Sequence, residues 1–233
     1  MADPLRLPLL LIEGAVLRSD EGKEIFSQLH WSLPHGAKVR IQGASESGAT
    51  ALLRMAAGLT HPQKGRVILD GVPLGPYTFD HPFLRRGALG WVPTEGGLLV
   101  NQSLLANVAL PLMFTKGMSR TAAENMAAEA LDQAGLSDLA NHRPHVLDPR
   151  ERWLGALVRA FVMEPELWLV DQIPGVLDRR MQDSAISILD RVEASSATVV
   201  IVGDEPWIPQ TQAQAIRLEN GRLTYEDTDA IRA

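Results

Sequence analysis

The chain has 233 residues, enough for one or two domains with a substantial core, and its make-up of 45% hydrophobic and 21% charged residues excludes a disordered or fibrous protein. Acidic residues (28) outnumber basic ones (22), and the resulting net charge of -6 argues against non-specific nucleic-acid binding. With no cysteine, disulfides, thiolate catalysis and zinc-thiolate sites are excluded.

The first apolar stretch, Leu7 to Ile12, is interrupted by Pro8 and bounded by Arg6 and Glu13. It is too short for the apolar core of a signal peptide or for a bilayer span, and no later segment reaches about 18 consecutive apolar residues. A cytoplasmic, soluble chain is expected. Short runs rich in branched residues then recur at Leu9 to Ile12, Val39 to Ile41, Val67 to Leu69, Leu89 to Val92, Leu167 to Val170 and Thr198 to Val202. Several are apolar almost throughout, as strands covered on both faces by helices are. Near the end, Ala215 to Leu218 and Arg222 to Tyr225 flank Asn220-Gly221, a β-hairpin signal.

Between Trp91 and Leu167 the pattern becomes helical. Thr121 with Glu124 reads as a capping box, Ala123, Met126, Ala127, Ala130, Leu131 and Ala134 follow at helical spacing, and Gly135 closes the run. No Gly/Ser linker, low-complexity tract or internal repeat separates a second domain. The expectation is an α/β core with a helical insertion.

The strand Lys38 to Gln42 leads into Gly43-Ala44-Ser45-Glu46-Ser47-Gly48-Ala49-Thr50 and then a helical run to Leu59. A strand, a loop with four residues between two glycines, Thr two places after the second, and a helix are the P-loop layout in its required context. Such a loop turns backbone N–H groups and a helix N-terminus toward phosphates. A bare strand-turn-helix that needs glycines for its turn has the same pattern. Position 49 is alanine, so the P-loop lysine is absent. Its charge-assisted hydrogen bonds are worth about 1.5–3 kcal/mol each, and their loss lowers phosphate affinity by at least about tenfold. Glu46 adds a carboxylate, and two like charges about 4 Å apart repel by about 4 kcal/mol at an effective dielectric near 20.

The order of later segments resembles the nucleotide-binding subunit of ATP-binding cassette (ABC) transporters over nearly the whole chain. Gly43 to Thr50 looks like Walker A, and Gly58-Leu59, Pro62, Gly65 and Val67 to Gly71 look like the strand and turn that follow it. Gly90 to Glu95 sits where the Q-loop falls, Leu104 to Leu112 is similar to the entry into the helical subdomain, and Leu147 to Arg152 takes the place of the signature motif. Leu167 to Gln172 resembles Walker B, Leu177-Asp178 the D-loop, and Val202 to Asp204 the switch-histidine loop. The resemblance implies a P-loop NTPase-like α/β cassette fold with an antiparallel β subdomain. It makes residues 1–233 one domain, with 1–94 and 163–233 as the α/β core and 95–162 as the helical subdomain.

The departures fall on residues that handle ATP in the family. The Walker lysine is Ala49, the Q-loop glutamine is Thr94, the signature Ser-Gly-Gly is Asp148-Pro149-Arg150, the glutamate after Walker B is Gln172, and the switch histidine is Asp204. No adenine-stacking aromatic occurs in Ala15 to Ser19. Gly43, Gly48, Thr50, Asp171 and Asp178 remain, with Ser47 in the loop. Gln172 cannot take a proton from water, so general-base assistance of about 10²–10⁴-fold is lost. Asp204 puts an anion where the family has a donor to the γ-phosphate, and Thr94 is shorter than the glutamine it replaces. Thr50 and Asp171 are suited to Mg²⁺, directly or through water, although such an Asp is equally a strand-end residue capping a neighbouring loop. Asp148 as N-cap, Pro149 at N1 and Glu151 at N3 make a self-capping helix start at the signature position.

Family cassettes build each site from the Walker motifs of one subunit and the signature of another. Paired with an intact partner, this chain leaves neither site complete. The resemblance implies a cassette subunit docked to an integral membrane permease at the inner face of the membrane, with ATP and Mg²⁺ as weakly held ligands and no other cofactor, and with impaired or absent hydrolysis. It pairs with a second cassette and takes no nucleic acid. A non-enzymatic scaffold that keeps the fold, and residual ATPase activity supported by Arg150, are the alternatives. The apolar residues from Leu98 to Phe114 are either a permease-docking surface or the subdomain's own core. The six histidines show no pairing beyond His142 with His145, so no metal site is expected. Trp91, Trp153 and Trp168 read as packing residues, with Trp153 also a candidate partner surface.

Overall fold

The computed structural model describes residues 7–43, 47–76, 80–173, 177–203 and 214–225. Its elements begin with β1 (Leu10–Arg18), β2 (Glu24–Leu33), β3 (Lys38–Gln42), α1 (Ala49–Ala56), β4 (Lys64–Leu69), β5 (Val72–Pro73), α2 (Pro82–Arg85) and β6 (Leu89–Val92). Three helices, α3 (Leu104–Phe114), α4 (Arg120–Gln133) and α5 (Pro149–Phe161), separate β6 from β7 (Leu167–Val170). The chain continues through α6 (Arg179–Glu193), β8 (Thr198–Val202), β9 (Gln214–Glu219) and β10 (Arg222–Tyr225).

One sheet is antiparallel, in the order β2-β1-β4-β5. The other runs β10-β9-β3-β8-β7-β6, parallel from β9 to β6, with β10 returning antiparallel across the Asn220-Gly221 turn. Every residue of β7 and β8 is buried, which is why their sequences are apolar at every position but Thr198. The two-residue period of a strand divides them between two cores. Leu167, Leu169, Val200 and Val202 face the antiparallel sheet and α1, while Trp168, Val170, Val199 and Ile201 face α3 to α6. Lys38 ties the layers together, its Nζ donating to the carbonyl of Val192 in the last turn of α6 and to those of Ser195 and Ala197 just beyond it. Desolvation lowers its pKa, against an opposing pull from Glu193.

Local expectations need amendment in two places. β2 is a ten-residue strand that hydropathy runs do not reveal, because a residue in the left-handed region (Gln28, φ 57) and register shifts against β1 break its alternation. The capping box expected at Thr121 is absent. The helix starts earlier, with Ser119 Oγ accepting from Ala122 N at 3.3 Å, so Glu124 lies beyond the first turn and pairs with Arg120 at 2.7 Å. Because β3, β6, β7 and β8 run parallel, the segments that leave them all emerge at one edge of the sheet, where ligands of such sheets bind.

Candidate functional site at the carboxyl edge of the parallel sheet

The phosphate loop leaves β3 at Gly43 and enters α1 at Gly48. Gly48 caps the helix at φ 95, and a Cβ there would meet Ile25 Cγ2 at 2.9 Å. A Cβ on Gly43 would come within 2.7 Å of the Leu218 carbonyl oxygen. Both glycines are therefore demanded by conformation or close approach. Among the described residues no side chain caps α1, and its first turn holds no acid, so its N–H groups have the anion-binding character of a helix start. Ala49, the position at which the sequence resemblance expects a lysine, is buried and offers only a methyl group. The Ser47 hydroxyl is buried without a hydrogen-bond partner among the described residues. Glu46 and Asp204 lie outside the described residues.

Across from this loop, Asp171 follows β7 and is only 2% exposed. Its Oδ1 accepts from Thr50 Oγ1 at 3.0 Å and from the Gln172 backbone N–H at 3.1 Å, and the Thr94 hydroxyl is directed at the same carboxylate. Burial pushes the Asp171 pKa up, although these donors and the charge of Arg54 oppose the shift. The fold thus brings Thr50, Thr94, Asp171 and Gln172 together at the ends of α1, β6 and β7. The side-chain oxygens of Thr50 and Asp171 are a donor set of the kind that would hold Mg²⁺. Mg²⁺ held there by Thr50 and Asp171 would neutralise phosphate oxygens.

The signature position behaves as its residues dictate. Asp148 Oδ1 accepts from the N–H groups of Arg150 and Glu151 at 2.8 and 2.9 Å, and Glu151 Oε2 accepts from Asp148 N–H at 2.8 Å, a complete capping box ahead of α5. Arg150 closes it with a 3.1 Å pair to Asp148 Oδ2. Partial burial raises the Asp148 pKa, but the donated hydrogen bonds and the Arg150 charge outweigh it and leave the group below its usual range. Asp178 is the N-cap of α6, accepting from Met181 N–H at 2.9 Å.

Trp153 is fully buried in the helical core, so it offers no partner surface. His142 and His145 are exposed, and no cluster of metal-ligating side chains occurs among the described residues. No helix among them is long and apolar enough to cross a membrane. Of the stretch from Leu98 to Phe114, Leu98, Leu104, Val108 and Leu112 are core, whereas Leu99, Val100 and Phe114 are 52%, 72% and 81% exposed.

Sequence reasoning assigned no role to two polar residues here. Asn107, 1% exposed, binds both the N–H and the carbonyl of Leu99 and also the Ser103 carbonyl. Arg159 donates to the carbonyls of Gly96 and Gly97, and burial lowers its pKa. Both fix the segment after β6 onto the helices. Their signal was a lone polar residue inside an apolar helical run. Leu99, Leu110, Pro111, Arg159 and Met163 line a cleft of about 350 Å³, and Phe114 stands one helical turn beyond Leu110 and Pro111.

Comparison with known proteins shows the family and agrees with the fold. The family profile described as ABC transporter matches residues 26–173. The lipoprotein-releasing system ATP-binding protein LolD of Bordetella pertussis is 36% identical over 209 residues, covering 88% of this chain and 90% of that protein. LolD of Chromohalobacter salexigens is 31% identical over 230 residues, covering 94% of each. Among solved structures, the dimeric bacterial ABC transporter cassette MJ0796 superposes with a TM-score of 0.81 at 25% identity, over 93% of this chain and 98% of that one. A post-hydrolysis dimer of the same cassette bound to ADP and Pi gives 0.79 over the same shares.

Proposed function

Because the chain belongs to the ABC transporter family as an ATP-binding cassette, we propose that it serves a membrane transport complex as a cassette subunit whose hydrolysis of ATP is slow or absent. The observation that carries this reading is the capping box at Asp148. In the family, that helix N-terminus faces the γ-phosphate bound on the opposite cassette. Here two of its N–H groups are taken by a carboxylate, which repels a phosphate instead of receiving it. Gln172 adds to the loss, since a neutral amide at the strand end cannot act as a general base. Likeness to the lipoprotein-releasing cassettes supports a complex of that type.

The permease docks, in this reading, at the cleft between Leu99 and Met163 and on the exposed Leu99, Val100 and Phe114. The partner cassette faces the carboxyl edge of the parallel sheet. A second reading, a scaffold without nucleotide, is favoured by the internal pairing of Thr50 with Asp171, which satisfies both groups with no ligand.

Calorimetry with Mg-ATP, with turnover followed in the same sample, separates these possibilities. The expected result is binding without turnover, and a Glu46→Gly/Ala49→Lys variant with affinity raised at least about tenfold. Turnover within about tenfold of the usual enzymatic median of about 10 s⁻¹ would overturn the catalytic reading. No binding up to millimolar nucleotide would leave the scaffold.

A further inference from the structure

Beside the phosphate loop, a cavity of about 750 Å³ opens between α1, the start of β2 and the β9–β10 turn. Ser47, Gly48, Thr50 and Ala51 form one wall, so the cavity is continuous with the anion-binding start of α1. Four charged residues also line it: Lys23, Glu24, Arg54 and Glu219. Their pairing is uneven. Glu24 faces Arg18 at 3.6 Å and Glu219 faces Arg217 at 3.3 Å, so each carboxylate is matched by an arginine that does not line the cavity. Lys23 Nζ and the Arg54 guanidinium have no ion-pair partner among the described residues.

These cations are well placed. The turn that carries Lys23 is closed by Ser19, whose N–H donates to the Lys23 carbonyl at 2.8 Å and whose hydroxyl accepts from Lys23 N–H at 3.2 Å. Arg54 lies one helical turn beyond Thr50 on α1, close enough to Asp171 to act on it electrostatically. Among the described residues, the cavity therefore holds two cations without an ion-pair partner, the N–H groups of a helix start, and a Ser47 hydroxyl with no hydrogen-bond partner. Together these are the recognition elements of a polyphosphate.

We propose that Lys23 and Arg54 are phosphate-binding residues, supplying from the cavity wall the positive charge that Ala49 does not, so that the chain holds a nucleotide's phosphate tail by displaced cations. This inference rests on the reading of the loop as a nucleotide site and says which side chains make it work. The lysine lost from the loop is then a relocation of charge, not the end of binding.

The test measures calorimetric affinity for Mg-ATP and for inorganic tripolyphosphate with the full chain, with Lys23→Gln, with Arg54→Gln and with both. Each single change is expected to weaken both ligands by about three- to tenfold, and the pair by at least about tenfold. The wild-type affinity should fall as salt is raised from about 50 to about 300 mM. In an Ala49→Lys background the double change should cost less than about threefold, since the loop then carries its own cation. Neither side chain has an ion pair to lose, so unchanged thermal unfolding of the variants serves as the folding control. Equal affinity of the double variant and the wild type overturns the proposal, and so does failure of tripolyphosphate to compete with Mg-ATP. Turnover in the same samples bears only on the catalytic reading, so the two failures are distinguishable.

Discussion

Asp171 shows how one residue carries both a structural and a chemical role. Its carboxylate is buried, and its native pKa is raised above the unfolded value of about 3.9. Such a group favours the folded state when protonated, and that contribution is lost as pH rises from the unfolded pKa through the raised native one. Asp171→Asn keeps an oxygen able to accept from Thr50 and from Gln172 N–H, and it removes the buried charge. The variant is therefore expected to gain stability relative to the wild type as pH rises from about 4 toward neutrality, read as urea midpoints across that range, and to lose Mg²⁺-dependent nucleotide binding. A pH-independent difference would show that the carboxylate is ionised in the fold at little cost. Gly43, Gly48, Thr50 and Asp171 were legible in the sequence because loop glycines and strand-end acids carry local signals. That Thr94 and Thr50 both turn to Asp171 was not, because the hydrogen bond from Thr50 spans 121 positions.

At the scale of elements, α5 begins as its first residues prescribe, since a capping box closes within four residues of chain. Asp148→Ala removes the acceptor for two N–H groups and should lower stability by about 0.5–2 kcal/mol, whereas Asp148→Ser retains a cap and should stay within about 0.5 kcal/mol of the wild type by chemical denaturation. Because the Asp148 pKa is depressed, its contribution is present above the unfolded value of about 3.9 and is lost as pH falls through the native one. An equal loss in both variants would locate the stabilisation in charge rather than in capping. The start of α4 shows the converse. Thr121 and Glu124 have the right spacing, but Ser119 captures the cap first, and the choice between two hydroxyls two positions apart depends on where the preceding loop delivers the chain.

For the whole molecule, the decisive feature is how the helices between β6 and β7 divide one apolar segment into core and surface. Leu98, Leu104, Val108 and Leu112 pack inward, and Phe114 is left 81% exposed beside the cleft that Arg159 lines. Phe114→Glu should leave unfolding and nucleotide affinity unchanged and weaken association with the permease proposed above as its partner by at least about tenfold in a co-purification titration, an apolar contact of this size being worth about 1.5–3 kcal/mol. Unchanged association would move the docking surface elsewhere.

By itself the sequence determined the α/β class, the parallel strands, the glycines that bracket the turn from β3 into α1, and the self-capped helix. Burial on both faces writes a continuous apolar run, and loop and cap chemistry act within a few residues of chain. Only the tertiary structure decided that Trp153 is core, which apolar side chains of α3 stay at the surface, how Asn107 and Arg159 hold the segment after β6, and that Lys23 and Arg54 share a cavity with the phosphate loop. Hydropathy ranks a residue's preference for burial but not its direction. Direction comes from helix packing and strand order, which join segments far apart in the chain.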